Sequence, residues 1–175
     1  MVGRVICVHP MTPYYEDRLF EEVARGAVPW HWGGESRHPE GFRRTLWQGC
    51  EEAFVPIDRA TGRGLGIIRV YGVNLVHGFA SMSIFLDDGP RAPGAAAEAL
   101  WLVASHLFRD RGLRKVYGDL TSSTIEHVAS AVGRWLEIEG RLVDHTRNGD
   151  GFEDKVIVAI DRRRWERLDG RVNPH

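Results

Sequence analysis

Cysteine is scarce in this chain: Cys7 and Cys50 are the only two in 175 residues. That pair excludes a disulfide scaffold and fits buried thiols in a reducing compartment. No apolar run approaches the roughly 20 residues a membrane-spanning helix needs, and no charged-then-apolar leader opens the sequence. A cytoplasmic protein with no membrane partner is expected. An excess of charge of one sign is missing too. With 23 basic against 24 acidic side chains, nothing global recruits nucleic acid or an anionic surface. His31, His38 and Cys50 lack metal-ligand spacing, so no metal is expected. The phosphate-loop pattern GxxxxGK[ST] is also absent, and "GRGLG" at 62–66 reads as a hairpin turn between two strand patterns.

What is present makes a core. A hydrophobic share of 43% and an aromatic share of 10% suit one compact domain, expected over residues 1–168 with a tail at 169–175. "RVICVHPMT" reads as a strand. A helix follows in which Thr12 caps, Pro13 fills the first turn, and Tyr15, Leu19, Phe20 and Val23 form a stripe ending at Gly26. A short helix is predicted from about Pro39 to Gln48. "EEAFVPID", "LGIIRVYGV" and "FASMSIFL" then give a three-stranded antiparallel meander. In the last of these Ala80, Met82, Ile84 and Leu86 alternate with Phe79, Ser81, Ser83 and Phe85, so Ser81 and Ser83 share the more polar face.

The stretch "DDGPRAPGAAAEAL" at 87–100 feeds the longest predicted helix, whose apolar positions Ala96, Leu100, Val103 and Leu107 run to a stop at Gly112. A glycine turn that opens a helix converges backbone N–H groups under the positive end of the helix dipole, a geometry that suits phosphate oxygens. Arg91 adds a cation, and Gly94, Ala95 and Ala96 carry no bulk to obstruct a pyrophosphate. Beyond it come a strand, "LRKVYGDL", and a helix, "SSTIEHVASAVG", with a Ser123–Glu126 capping box. A hairpin through "NGDG" and one helical turn in "RRRWERLDGRVNPH" complete the chain.

This order, with Arg91, Gly94 and Ala96 matching an R/Q-x-x-G-x-G/A loop after the fourth strand, resembles the GNAT-type N-acetyltransferase superfamily, in its ribosomal-protein-alanine and spermidine acetyltransferase-like branch. The resemblance covers residues 4 to about 165. It implies an α+β fold: a mostly antiparallel mixed sheet of six or seven strands, flanked by about four helices and splayed between strands 4 and 5. It further implies acetyl-CoA or another acyl-CoA as donor, with Phe85 and Leu86 along the pantetheine arm and amides around Arg91, Ala92, Gly94, Ala95 and Ala96 on the pyrophosphate. Pro93 supplies no N–H there.

The branch's proton-transfer groups are not at their usual places. Ser81 stands where the branch often has a glutamate base, alanine replaces its tyrosine acid, and Thr124 replaces an asparagine that touches pantetheine. Trp135 and Leu136 stand for a Gly-Phe pair. Asp119 at the end of the fifth strand and the hydroxyl of Ser123 are the other catalytic candidates, each with a turn or capping role as its alternative. His77, Trp30 and Trp32 are candidates for the acceptor pocket, the tryptophans by stacking. The predicted function is an N-acyltransferase acting on a small-molecule primary amine by direct transfer in a ternary complex. A carrier-protein thioester as donor, with an acyl carrier protein as partner, is one alternative; a non-catalytic acyl-CoA-binding module is another. A homodimer through the final hairpin is the oligomer the resemblance suggests.

Overall fold

A computed structural model describes residues 1–24, 38–86, 92–148 and 150–172. The chain runs β1 (Ile6–Pro10), α1 (Pro13–Ala24), α2 (Pro39–Trp47), β2 (Cys50–Asp58), β3 (Gly66–Asn74), β4 (Phe79–Leu86), α3 (Ala95–Asp110), β5 (Lys115–Thr121), a 3-10 turn (Ile125–Val128), β6 (Glu137–Asn148), β7 (Gly151–Asp161) and α4 (Arg162–Val172). Seven strands make one sheet in the order β1-β2-β3-β4-β5-β7-β6. Every neighbouring pair is antiparallel except β4 and β5, which are parallel. The parallel pair follows from α3, which carries the chain back across one face before β5 begins.

Period-two alternation decides what each face meets. On one face Ile68, Val70, Ala80, Met82, Ile84, Val116 and Val158 pack with Leu100, Val103, Leu107 and Phe108 of α3. On the other, Leu19 and Val23 of α1 and Phe42 and Leu46 of α2 cover Ala53, Val55, Ile57 and Ile67. Each such aliphatic or aromatic side chain contributes about 1.5–3 kcal/mol on burial. The helices cover the second face over β1–β3, and on its β4–β5–β7 portion Ser81, Ser83, Asp119 and Lys155 stand among Phe79, Tyr117 and Ile157. α3 closes with Gly112 at φ 66° and with Leu113 N–H donating to the Leu107 carbonyl (3.4 Å), so the glycine takes the left-handed position the turn requires.

Two expectations need correction. "SSTIEHVASAVG" forms only the 3-10 turn, without the Ser123–Glu126 box. Ser123 instead turns its hydroxyl (2.8 Å) and its N–H (3.1 Å) to Glu153 of β7, and Thr124 Oγ1 accepts the Thr121 N–H at 2.8 Å. A capping box needs that serine's hydroxyl free for the helix. The terminal segment forms α4 where one turn was expected, and the tail from residue 169 is helical as far as Val172. Asp161 Oδ1 accepts the N–H groups of Arg163 (2.9 Å) and Arg164 (3.4 Å) as a cap. Trp165, 4% exposed, donates to Ser105 Oγ at 2.8 Å and packs on Phe108.

One carboxylate ties the first strand to the start of α3: Glu98 accepts the N–H groups of Arg4 (2.6 Å), Val5 (2.9 Å) and Ile6 (3.1 Å). Glu98→Ala is expected to cost about 2–3 kcal/mol, as for hydrogen bonds to a charged group. In a chain this long that lowers Tm by roughly 4–10 °C. Thermal unfolding within 1 °C of the parent would show that the contact carries no net stability.

Candidate functional site

The parallel pairing of β4 and β5 runs from Phe79↔Lys115 to Ser83↔Asp119 and then stops. Beyond it β4 stays on β3 through Gly66↔Leu86, while β5 stays on β7 through Leu120↔Val156 and Thr121↔Lys155. The two strands part there, and the backbone of residues 84–86 presents its β5-side edge to the gap. An open edge of N–H and C=O groups pairs readily with an extended, amide-bearing ligand. The side chains of Phe85 and Leu86 turn away into the two cores, so the backbone of these residues is what faces the gap.

Polar side chains line the second face beside this break. The register sets Tyr71, Ser81 and Tyr117 in one row and Arg69, Ser83 and Asp119 in the next. The Tyr71 hydroxyl donates to Asp119 Oδ2 at 2.9 Å, and Lys155 Nζ donates to the same oxygen at 2.8 Å. Burial holds the Tyr71 phenol well above its ordinary value near 10, and the Asp119 charge adds to the effect. Its proton is therefore held through neutral pH. Carboxylate, phenol and ammonium together can accept a proton, donate one and hold charge.

At the start of α3, Gly94 adopts φ 79° and Ala95 N–H closes the turn on the Ala92 carbonyl at 3.1 Å. Ala95 and Ala96 are 2% and 4% exposed, and among the described residues a Cβ at Gly94 would meet no atom within 4 Å. Small residues thus form the turn that opens α3, a geometry that suits the oxygens of an anion. Arg91, Trp30 and Trp32 lie outside the described residues.

Of the expected site residues, Asp119 stands at the break and Ser81 lies on the same face, beside Tyr71 and Tyr117. Ser123 and Thr124 are held by the turn after β5, on the β5 side of the gap. His77 is not brought to them: it occupies the turn before β4, where its N–H donates to Asn74 Oδ1 at 2.8 Å and its ring stacks on Phe79. At about 3.3 Å per residue that is roughly 20 Å from Ser83. Sequence reading missed Tyr71, Lys155 and Arg69. The alternation of Arg69 and Tyr71 with Ile68 and Val70 was the available signal, since it puts both on the same polar face.

A cleft of about 290 Å³ opens on that face between α1 and the turn joining β2 to β3, lined by Tyr14, Tyr15, Arg18, Glu22, Arg63 and the Gly66 backbone, among others. Gly66 pairs with Leu86 at the parted end of β4, so cleft and break are neighbours.

No family model and no curated protein sequence matches the chain. Solved structures do. The F149G mutant of SpeG spermidine N-acetyltransferase from Vibrio cholerae is 15% identical over 94% of this chain and 98% of its own, with TM-score 0.73. The spermidine N-acetyltransferase of Vibrio cholerae in complex with CoA and spermine is 14% identical over 92% and 98%, with TM-score 0.72. A T. thermophilus protein proposed to be an acetyltransferase is 18% identical over 98% and 96%, with TM-score 0.71. The chain has the fold of GNAT-type N-acetyltransferases, with the parting of strands 4 and 5 that the resemblance implied. Among the described residues no helix is long and apolar enough to cross a membrane.

The Tyr71 phenol predicts an alkaline signature. Because folding raises its pKa, its contribution to stability is complete below pH 10 and is lost as pH rises from there toward the folded value. Denaturant unfolding of Tyr71→Phe compared with the parent at pH 9 and about 11 is expected to show a shallower alkaline loss in the variant. Parallel losses would contradict the burial and charge assigned to this group.

Proposed function

We propose that the protein is an N-acyltransferase moving an acetyl group from acetyl-CoA to the primary amine of a small molecule by direct attack. The observation that carries this reading is the coincidence, within a GNAT fold, of the β4–β5 break with the Tyr71–Asp119–Lys155 cluster. The donor supplies the activated thioester carbonyl, and this chain supplies the berth. Amide and carbonyl groups of residues 84–86 bond the pantetheine arm as an added strand would. N–H groups in the first turn of α3, with Arg91, meet the pyrophosphate. A carrier-protein thioester would share the arm and forgo the nucleotide contacts, which suits the missing N–H of Pro93.

Nitrogen attack on the carbonyl carbon forms the C–N bond and breaks C–S. The nitrogen gives its proton to Asp119, the departing sulfur takes the phenolic proton of Tyr71, and the hydrogen bond between the two side chains returns the proton to Tyr71. The balance is thioester plus amine to amide plus thiol. Asp119 thus supplies from the fifth strand the carboxylate that the branch carries on the fourth, where Ser81, no base of useful strength, now stands. Lys155 holds that carboxylate in place beside Tyr71. Proton transfer of this kind contributes about 10²–10⁴-fold, and positioning of the amine in a closed site about 7–11 kcal/mol.

Acetyl-CoA titrated into the protein is expected to bind in the micromolar range, and Arg91→Glu to weaken it by charge repulsion with the fold intact. In an amine-acceptor screen Asp119→Asn is expected to lower kcat by about 10²-fold or more while donor affinity stays unchanged. No donor binding would contradict the acyl-transfer reading, and an Asp119→Asn variant turning over at the parent rate would remove Asp119 from the mechanism.

A further inference from the structure

On this face the position that most lacks a partner is Arg69. Its neighbours across the ladder are Ala53 of β2 and Ser83 of β4. One terminal nitrogen donates to the Gln48 carbonyl at 2.9 Å, while its Nε is buried and has no hydrogen-bond partner among the described residues. Buried donors are nearly always satisfied, and a guanidinium keeps its charge. The charge lies close enough to the Tyr71 phenol to oppose the rise in its pKa, so it belongs to the reacting floor. Lys155 adds a second positive group against the single carboxylate of Asp119.

We infer that the acceptor amine also carries a carboxylate, which is received on the floor by Arg69. The inference rests on the acyl-transfer reading and narrows its substrate class. A planar fork of donors suits a carboxylate, and a guanidinium whose charge persists at all pH values favours an anion or zwitterion. The relative bound to CoA and spermine holds a polycation; a polycation here would add like charge to Arg69 and Lys155. Similarity of fold therefore does not carry the acceptor across.

The test titrates the CoA-saturated protein at neutral pH with β-alanine, 4-aminobutyrate and L-phenylalanine, each against its own carboxamide, and with spermidine. At least one acid is expected to bind about tenfold or more tighter than its amide, with spermidine weaker than that acid. Arg69→Met should bring the acid-to-amide ratio to about one, and Arg69→Lys should restore part of it, both with unchanged thermal unfolding. The parent ratio stands by itself should the variants misfold. Ratios near one across the panel, no binding of any acid, or tightest binding of spermidine would overturn the inference. Failure is separable from that of the parent reading: a protein that binds CoA and acetylates amines regardless of a carboxylate loses only this narrowing.

Discussion

The structure turns on a hydrogen-bond ladder that ends early. β4 and β5 share a parallel ladder as far as Ser83 and Asp119 and then follow different neighbours. Each unpaired strand edge forgoes contributions of about 0.5–1.5 kcal/mol per bond, and a ladder opened inside a sheet persists only where packing on both sides fixes it. Here β3 holds one strand and β7 the other, while α3 and the segment around Val128, Ala131 and Leu136 pack against the first face. The opening is therefore held by the core and does not depend on a ligand to form.

That constraint explains where chemistry can sit. The first face is closed by α3 over the middle of the sheet, and the second is closed by α1 and α2 only over β1–β3. What remains between them is a polar strip beside the break. Tyr71, Asp119 and Lys155 meet there because the register of β3, β4, β5 and β7 brings their side chains together on one face. Their hydrogen bonds make the cluster costly to disturb piecemeal, since removing one partner strands the others. Glu98 fixes the first turn of α3 against β1. Both walls of the proposed donor berth are thus anchored independently of the reacting groups.

Local pattern carried most of the fold. Alternation in "FASMSIFL" delimits β4 at 79–86 as observed, and the apolar spacing from Ala96 to Leu107 identifies α3. Pro13 and Pro39 mark two helix starts. The failures have specific causes. Ser123 has the spacing of a capping box, but a carboxylate from β7, 30 positions away, takes its hydroxyl. α4 is so polar that its anchor Trp165 was its main apolar cue. Asp119 was legible as a strand-end carboxylate, yet its partner Tyr71 is 48 positions distant and Lys155 comes from a different hairpin. Such a cluster depends on register across four strands, which no short pattern encodes. His77 illustrates the converse, since closeness in sequence to β4 put it at the strand's wrong end.

The central claim is that the gap past Ser83 and Asp119 receives the thioester arm. Backbone amide shifts followed by NMR as CoA is added to the protein test it most directly. The account predicts the largest changes at residues 84–86 and 94–97, with β1 and β6 nearly unmoved. Changes confined to the cleft beside α1, with residues 84–86 silent, would contradict it.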